Sequence, residues 1–265
     1  MDRKIEIMGI VNLTPDSFYP GSRNLSSDGS LEPGALMARV AGMIGDGADI
    51  IDIGACSTRP GSVPVSDEEE WKRLYIPLKL IRDAFPEIPI SIDTFRSSIV
   101  AKAYDAIGPF MVNDVSGASD RSILPLASGL GLTYICTHCS PEGHGNITDR
   151  VLSFFGEFCR KAEDAGLEDW ILDPGFGFGK TLEENYSLLE NLPALKSPGK
   201  KILVGVSRKS MVYKLLGITP EESLIPTQAL HMAALERGAD ILRVHDVAET
   251  VQTVRLWRSL NANLA

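Results

Sequence analysis

A set of polar side chains breaks the apolar runs of this sequence at similar places in each run. It comprises Asn12, Asp52, Asp93, Asn113 with Asp114, His138, Asp173, Ser207 to Lys209, and Arg243 with His245. Asp93, Asn113 and Asp173 offer both acceptors and donors, which suits the N–H and NH2 edge of a flat, nitrogen-rich heterocycle. Lys209, Arg243 and His245 suit a phosphate-bearing group, with Arg presenting a bidentate fork and His changing charge near neutral pH. Taken singly, Asp93 or Asp114 reads equally well as a helix cap. Taken together, the residues read as one site with a heterocycle pocket and an anion pocket.

Such a site needs elements that bring distant residues to one place. Eight short β-branched runs read as strands: Ile5 to Asn12, Ile50 to Ile53, Pro89 to Asp93, Met111 to Asp114, Thr133 to Thr137, Trp170 to Asp173, Ile202 to Gly205 and Ile241 to Val244. Amphipathic stretches alternate with them, including Asp67 to Phe85, Ser97 to Tyr104 and Val151 to Ala165. The region from Ser210 to Arg237 reads as a helix interrupted near Pro220 and Pro226. Eight strand-then-helix repeats without a low-complexity linker predict an α/β fold, a single (β/α)8 TIM barrel over residues 1–265. The polar set then falls at the strands' carboxyl ends, the rim on which barrel active sites are built. Gly47 and Gly238 each precede a strand and read as left-handed helix ends.

Composition narrows the partners. With 265 residues, 44% hydrophobic and 23% charged, the chain can bury a large core and is neither disordered nor collagen-like. Its net charge of −9, with no basic cluster, argues against nucleic acid and anionic membranes and for small-molecule substrates. No apolar run is long enough to span a bilayer, and Met1 to Lys4 lead into a strand-like segment rather than a signal-peptide core, which predicts a cytoplasmic protein. Four cysteines, at 56, 136, 139 and 159, are too few and too uneven for a disulfide framework.

Three segments imitate better-known motifs. Gly175 to Thr181 looks like a P-loop, but Pro174 stands where that motif needs glycine, and no Rossmann spacing fits either. A close-approach turn after a strand is the simpler account. Cys136 to Cys139 has the spacing of half a zinc site without a second half. Ser207 to Ser210 precedes a helix, where free N–H groups favour an anion.

Seven segments, in order, resemble those of the dihydropteroate synthase family over almost the whole length. They are Met8 to Phe18, Asp52 to Gly54 with Ser57 to Gly61, Ser91 to Thr94, Asn113 to Ser116, Asp173 to Phe178, Ser207 to Ser210, and Arg243 to Asp246. The resemblance implies condensation of 6-hydroxymethyl-7,8-dihydropterin diphosphate with 4-aminobenzoate, giving 7,8-dihydropteroate and diphosphate. It implies pterin binding by Asp93, Asn113, Asp173 and Lys209, and an aminobenzoate pocket of Phe18, Thr58, Pro60, Phe178 and Ser210. Diphosphate falls to Asn12, Arg59, Arg243 and His245, with Mg²⁺ on Asn12. Asn12, Lys209, Arg243 and His245 are the catalytic set. A homodimer and competition by sulfonamides, which imitate aminobenzoate, are further implications.

The chain departs from the family pattern at Tyr19-Pro20-Gly21-Ser22, where the usual first-loop Asp is replaced by Pro20. Thr137-His138 replaces Met-His, and Cys56 stands where Glu is common. Three rivals stay open: a pterin-binding methyltransferase partnered by a corrinoid protein, a noncatalytic pterin-binding paralogue, and an aldolase barrel with an imine on Lys209.

Overall fold

The structure is a computed structural model, and it describes residues 3–13, 32–56, 65–141, 143–196 and 200–262. Eight parallel strands make one sheet: β1 (Glu6–Asn12), β2 (Ile50–Gly54), β3 (Ile90–Asp93), β4 (Met111–Asp114), β5 (Thr133–Thr137), β6 (Trp170–Asp173), β7 (Leu203–Val204) and β8 (Ile241–Val244). The pairing runs β6-β5-β4-β3-β2-β1-β8-β7. A parallel bridge from Leu172 to Ile202 joins the two ends and closes the circle. β7 is shorter than its sequence suggests, and this bridge, just before it, is the barrel's thinnest seam.

Parallel strands covered on both faces are apolar on both faces, and period-two alternation sorts their side chains into two layers. Inside the barrel, Met8, Ile50, Ile135, Ile171, Leu203 and Ile241 form one cluster, with Met111 packed against it. Outside, the alternate residues, among them Ile51, Val112, Tyr134, Cys136 and Leu172, join the far larger core between strands and helices. The inner cluster plugs the barrel. Two residues further along the same strands, on the same inward face, stand Asp52, Asn113, Thr137, Asp173, Gly205 and Arg243.

The helices are α1 (Pro33–Asp46), α2 (Asp67–Ala84), α3 (Ser97–Ile107), α4 (Ile123–Gly129), α5 (Ile147–Asp164), α6 (Leu182–Glu190), α7 (Ser210–Leu216), α8 (Leu224–Glu236) and α9 (Val247–Asn261). Their ends follow local chemistry. Ser66 caps α2 by accepting from the Glu69 amide, and Thr181 with Glu184 forms a reciprocal capping box on α6. Asn146 caps α5, which therefore begins a turn before the expected Val151. α1 ends at Gly47 with φ 106°, and Gly238 has φ 101°, the left-handed geometry expected of both.

The interrupted region differs from expectation at one of its two prolines. α7 stops at Gly217 with φ 66°, and Pro220 leads into a 3-10 turn (Glu221–Ser223). Pro226, however, lies in the first turn of α8, where a missing amide costs no hydrogen bond, so the helix passes through it. No helix among the described residues is long and apolar enough to cross a membrane.

Candidate active site

The barrel rim joins Ser91, Asp93, Asn113 and Arg243 around one carboxylate. Asp52, fully buried on β2, accepts from Ser91 Oγ at 2.6 Å and Asn113 Nδ2 at 3.1 Å through Oδ1. Its Oδ2 takes Arg243 Nε at 2.7 Å and Nη2 at 2.6 Å. Arg243 Nη2 also reaches Asp93 Oδ2 at 3.1 Å. Residues from β2, β3, β4 and β8 thus form one hydrogen-bonded group, although Asn113 and Arg243 are 130 positions apart in the chain. Sequence reading places Asp52 on the rim but gives it no role. The available signal is parity, because it follows the inward Ile50 by two residues.

Two buried acceptors in this group have no protein partner among the described residues: Asp93 Oδ1 and Asn113 Oδ1. They sit on neighbouring strands in direct register. Buried acceptors without partners are costly, and a ligand carrying N–H groups satisfies them. Gly54 makes room for this corner, since a Cβ there would lie 3.0 Å from the Asp93 Cβ. Burial pushes the Asp93 carboxyl up to about 7; the Arg243 cation holds it down, while Asp52 adds repulsion.

Across the mouth, Asp173 ends β6 and accepts from the Gly175 amide at 2.7 Å. Burial raises its pKa, opposed chiefly by the Lys209 ammonium. Lys209 donates to the Phe176 carbonyl and lies 4.8 Å from the centre of the Phe178 ring. Burial lowers Lys209 to about 8, with Asp173 favouring its charged form. Phe176 is core, fully buried, whereas Phe178 is half-buried on the rim beside Lys209. Ser210 follows as the first residue of α7, a helix of seven residues.

The turn after β6 is built by close approach. Gly175 has φ 70°, and a Cβ there would fall 2.0 Å from the His138 carbonyl oxygen. Lys180, whose position resembles a P-loop lysine, donates instead to the carbonyls of His138, Gly175 and Phe178 at 3.0, 2.8 and 3.0 Å. Its ammonium holds the loops after β5 and β6 together, a role that sequence reading misses.

After β8, His245 Nδ1 lies 3.0 Å from Ser207 Oγ, and that oxygen accepts from the His245 amide at 3.2 Å. Burial first, then repulsion from Arg243, Arg39, Arg208 and Lys209, pushes His245 down to about 3. This corrects the expectation of a charge switch near neutral pH: in the free protein at pH 7 the ring is neutral. Arg208 is engaged elsewhere, forking onto Asp246 at 2.8 and 2.9 Å.

Asn12 ends β1, half-buried. Asp114 is a structural group, accepting from the Ser116 and Ala118 amides at 2.6 and 2.9 Å and from Tyr134. The expected site residues Phe18, Thr58, Arg59 and Pro60, and the divergent Pro20, lie outside the described residues. Cys136 packs in the outer core, and all four cysteines are free thiols.

The sequence of this rim is matched elsewhere. The model of the family described as pterin binding enzyme matches residues 8–245. The dihydropteroate synthase of Escherichia coli strain K12 is 38% identical over 261 residues, 94% of this chain and 89% of its own. The chain belongs to the dihydropteroate synthase family. A Xanthomonas albilineans dihydropteroate synthase solved with 4-aminobenzoic acid is 35% identical, with a TM-score of 0.88 over 98% of this chain and 94% of that one. A Thermus thermophilus dihydropteroate synthase solved in complex with 6HMPPP is 32% identical, with a TM-score of 0.83 over 97% and 94%. The dihydropteroate synthase fold and this chain's closed ring of eight parallel strands are the same architecture.

Proposed function

We propose that this chain condenses 6-hydroxymethyl-7,8-dihydropterin diphosphate with 4-aminobenzoate, releasing 7,8-dihydropteroate and diphosphate for folate biosynthesis. The observation that carries this reading is the joining of a donor-seeking pocket to a cation on one rim. Asp93 and Asn113 present acceptors, while Arg243 bonds to the same carboxylate as Asn113 and reaches Asp93. The pterin ring lies against Asp93, Asn113, Asp173 and Lys209, and the diphosphate against Arg243 and His245, with Asn12 and Arg59 completing its site.

The C–O bond to diphosphate breaks first, leaving a resonance-stabilised pterin methylene cation. The aminobenzoate nitrogen then bonds to that carbon and gives up a proton. Arg243 supplies fixed positive charge to the departing diphosphate, held at Nε and Nη2 so that nothing need reorganise as charge develops. His245 serves first as a neutral hydrogen-bonding group. Anionic diphosphate beside it acts against the surrounding cations, the direction that strengthens the ring as a donor to the leaving group. Phe178 walls the aminobenzoate ring beside Ser210, Phe18, Thr58 and Pro60 being the further members that the family resemblance implies, and sulfonamides compete there.

Mg²⁺ fits the donors present. It is a hard ion that keeps waters and takes oxygens from substrate phosphates with few protein ligands. No group of three or more His, Cys, Asp or Glu able to hold a metal stands among the described residues. Asn12 would hold it through its amide oxygen. When bound, Mg²⁺ neutralises charge on the diphosphate.

Residues 1–265 act as one pterin-binding barrel domain, in the cytoplasm. A homodimer is supported by exposed Leu215, Leu216, Ile225, Leu256 and Leu260 on α7, α8 and α9. The test is to incubate purified protein with Mg²⁺, pterin diphosphate and 4-aminobenzoate and to assay both products. Equimolar dihydropteroate and diphosphate are expected. Methyl transfer without diphosphate release, or binding without turnover, contradicts the reading.

A further inference from the structure

We propose that Asp52 is a positioning residue that fixes the hydrogen-bond polarity of the pterin pocket, forcing Asn113 to present its oxygen, and not its NH2, to the ring. The proposal rests on the pterin reading above and names what makes that pocket selective.

A carboxylate accepts hydrogen bonds and donates none. Each of the three side chains on Asp52 is accordingly a donor: Ser91 and Asn113 on Oδ1, Arg243 on Oδ2. The Asn113 amide therefore turns its nitrogen to Asp52 at 3.1 Å and leaves Oδ1 without a protein partner among the described residues. Beside it, Asp93 spends Oδ2 on Arg243 and leaves Oδ1 in the same condition. The pocket thus offers two acceptors in register on β3 and β4, and it rewards a ring edge carrying N–H and NH2 groups. A ring with a carbonyl in place of that amine puts oxygen against oxygen.

The Asp52→Asn substitution changes this logic without changing shape. The Arg243 cation draws the new amide's oxygen, which puts its NH2 toward Asn113. Asn113 must then reverse, giving its oxygen to position 52 and its NH2 to the ring. Pocket polarity inverts at one point while its volume stays the same.

The experiment compares binding of 6-hydroxymethylpterin and its 2-oxo counterpart, 6-hydroxymethyllumazine, to the wild-type protein and to Asp52→Asn by calorimetry. The wild type is expected to prefer the amino ring at least about tenfold, since the 2-oxo ring leaves a buried polar pair mismatched. In Asp52→Asn the preference is expected to shrink about tenfold or reverse. Equal loss of affinity for both rings, with the preference intact, overturns the proposal and leaves the pterin reading standing. Failure of the wild type to bind either ring overturns both.

A second measurement needs no stable variant at position 52. In protein labelled with ¹⁵N-asparagine, the Asn113 side-chain resonance is the one lost in Asn113→Asp. One of its protons, held by the buried carboxylate, is expected to exchange slowly with water. Rapid exchange of both overturns the proposal.

Discussion

Arg243 Nη2 lies 3.1 Å from Asp93 Oδ2, so the cation proposed to meet the diphosphate is bonded directly to a carboxylate proposed to meet the pterin. The two halves of the site are therefore electrically linked. Asp93 is pushed up to about 7 by burial, and Arg243 is the main influence holding it that low. Binding of a pterin ring that needs the ionised carboxylate should strengthen as pH rises from about 6 to about 8, the range around that value. In Arg243→Gln the midpoint should move upward, because an opposite charge that favoured ionisation is gone. The ring without diphosphate is the right probe, since it makes no demand on the anion pocket. A midpoint that stays or falls contradicts the linkage.

The site predicts a division of labour between Asp173 and His245. Asp173→Asn removes a charged acceptor from the proposed pterin pocket and should weaken pterin diphosphate binding about tenfold or more, as charge-assisted hydrogen bonds contribute about 1.5–3 kcal/mol. His245→Ala should leave that affinity within a few fold and slow the single-turnover step by about 10²-fold, typical for a lost charge-stabilising donor. Equal losses of affinity in both variants contradict the separate roles.

Much of this is legible in the sequence because barrel strands obey a strict parity. Every second residue of the short apolar runs faces inward, so Asp52, Asn113, Asp173 and Arg243 fall on one rim without knowledge of any contact. Left-handed helix ends, as at Gly47 and Gly238, are equally readable. Partner choice is not. Nothing local marks Asp52 as the residue joining Asn113 to Arg243, since its partners come from β3, β4 and β8. The neutral state of His245 comes from burial and from cations around it, of which Arg39, Arg208 and Lys209 are brought there by folding. Pro226 misleads because a proline breaks a helix interior but suits a first turn, and the start at Leu224 is not set by a side-chain cap.

Buried neutral histidines should make the fold acid-labile. His231 is fully buried, with Nε2 lacking a partner among the described residues, and burial pushes it down to about 3. Its folded pKa lies below its unfolded value of about 6.5, so its contribution is complete above about pH 6.5 and is lost as pH falls toward about 3. Asp93 acts in the opposite sense, costing stability as pH rises through about 7. The His231→Leu variant isolates the histidine. Relative to wild type, it should gain about 1.4 kcal/mol per pH unit between about pH 6 and about pH 4 in urea unfolding. A difference independent of pH contradicts this assignment.

The turn at Gly175 should tolerate no side chain. Alanine there would combine a left-handed φ of 70° with a Cβ 2.0 Å from the His138 carbonyl, an atom of backbone that cannot swing aside. Gly175→Ala should cost at least about 2 kcal/mol in thermal or urea unfolding, the scale of overpacking and backbone strain together. A loss under about 0.5 kcal/mol, within the range of an ordinary surface change, contradicts the close-approach account.

The most direct test of the whole account is a crystal structure with 6-hydroxymethyl-7,8-dihydropterin diphosphate bound. The ring is expected to hydrogen-bond to Asp93, Asn113 and Asp173, with both phosphates within contact of Arg243 and His245. A ring seated away from these three side chains, or a diphosphate directed away from Arg243, would contradict the claim that one rim reads both halves of the substrate.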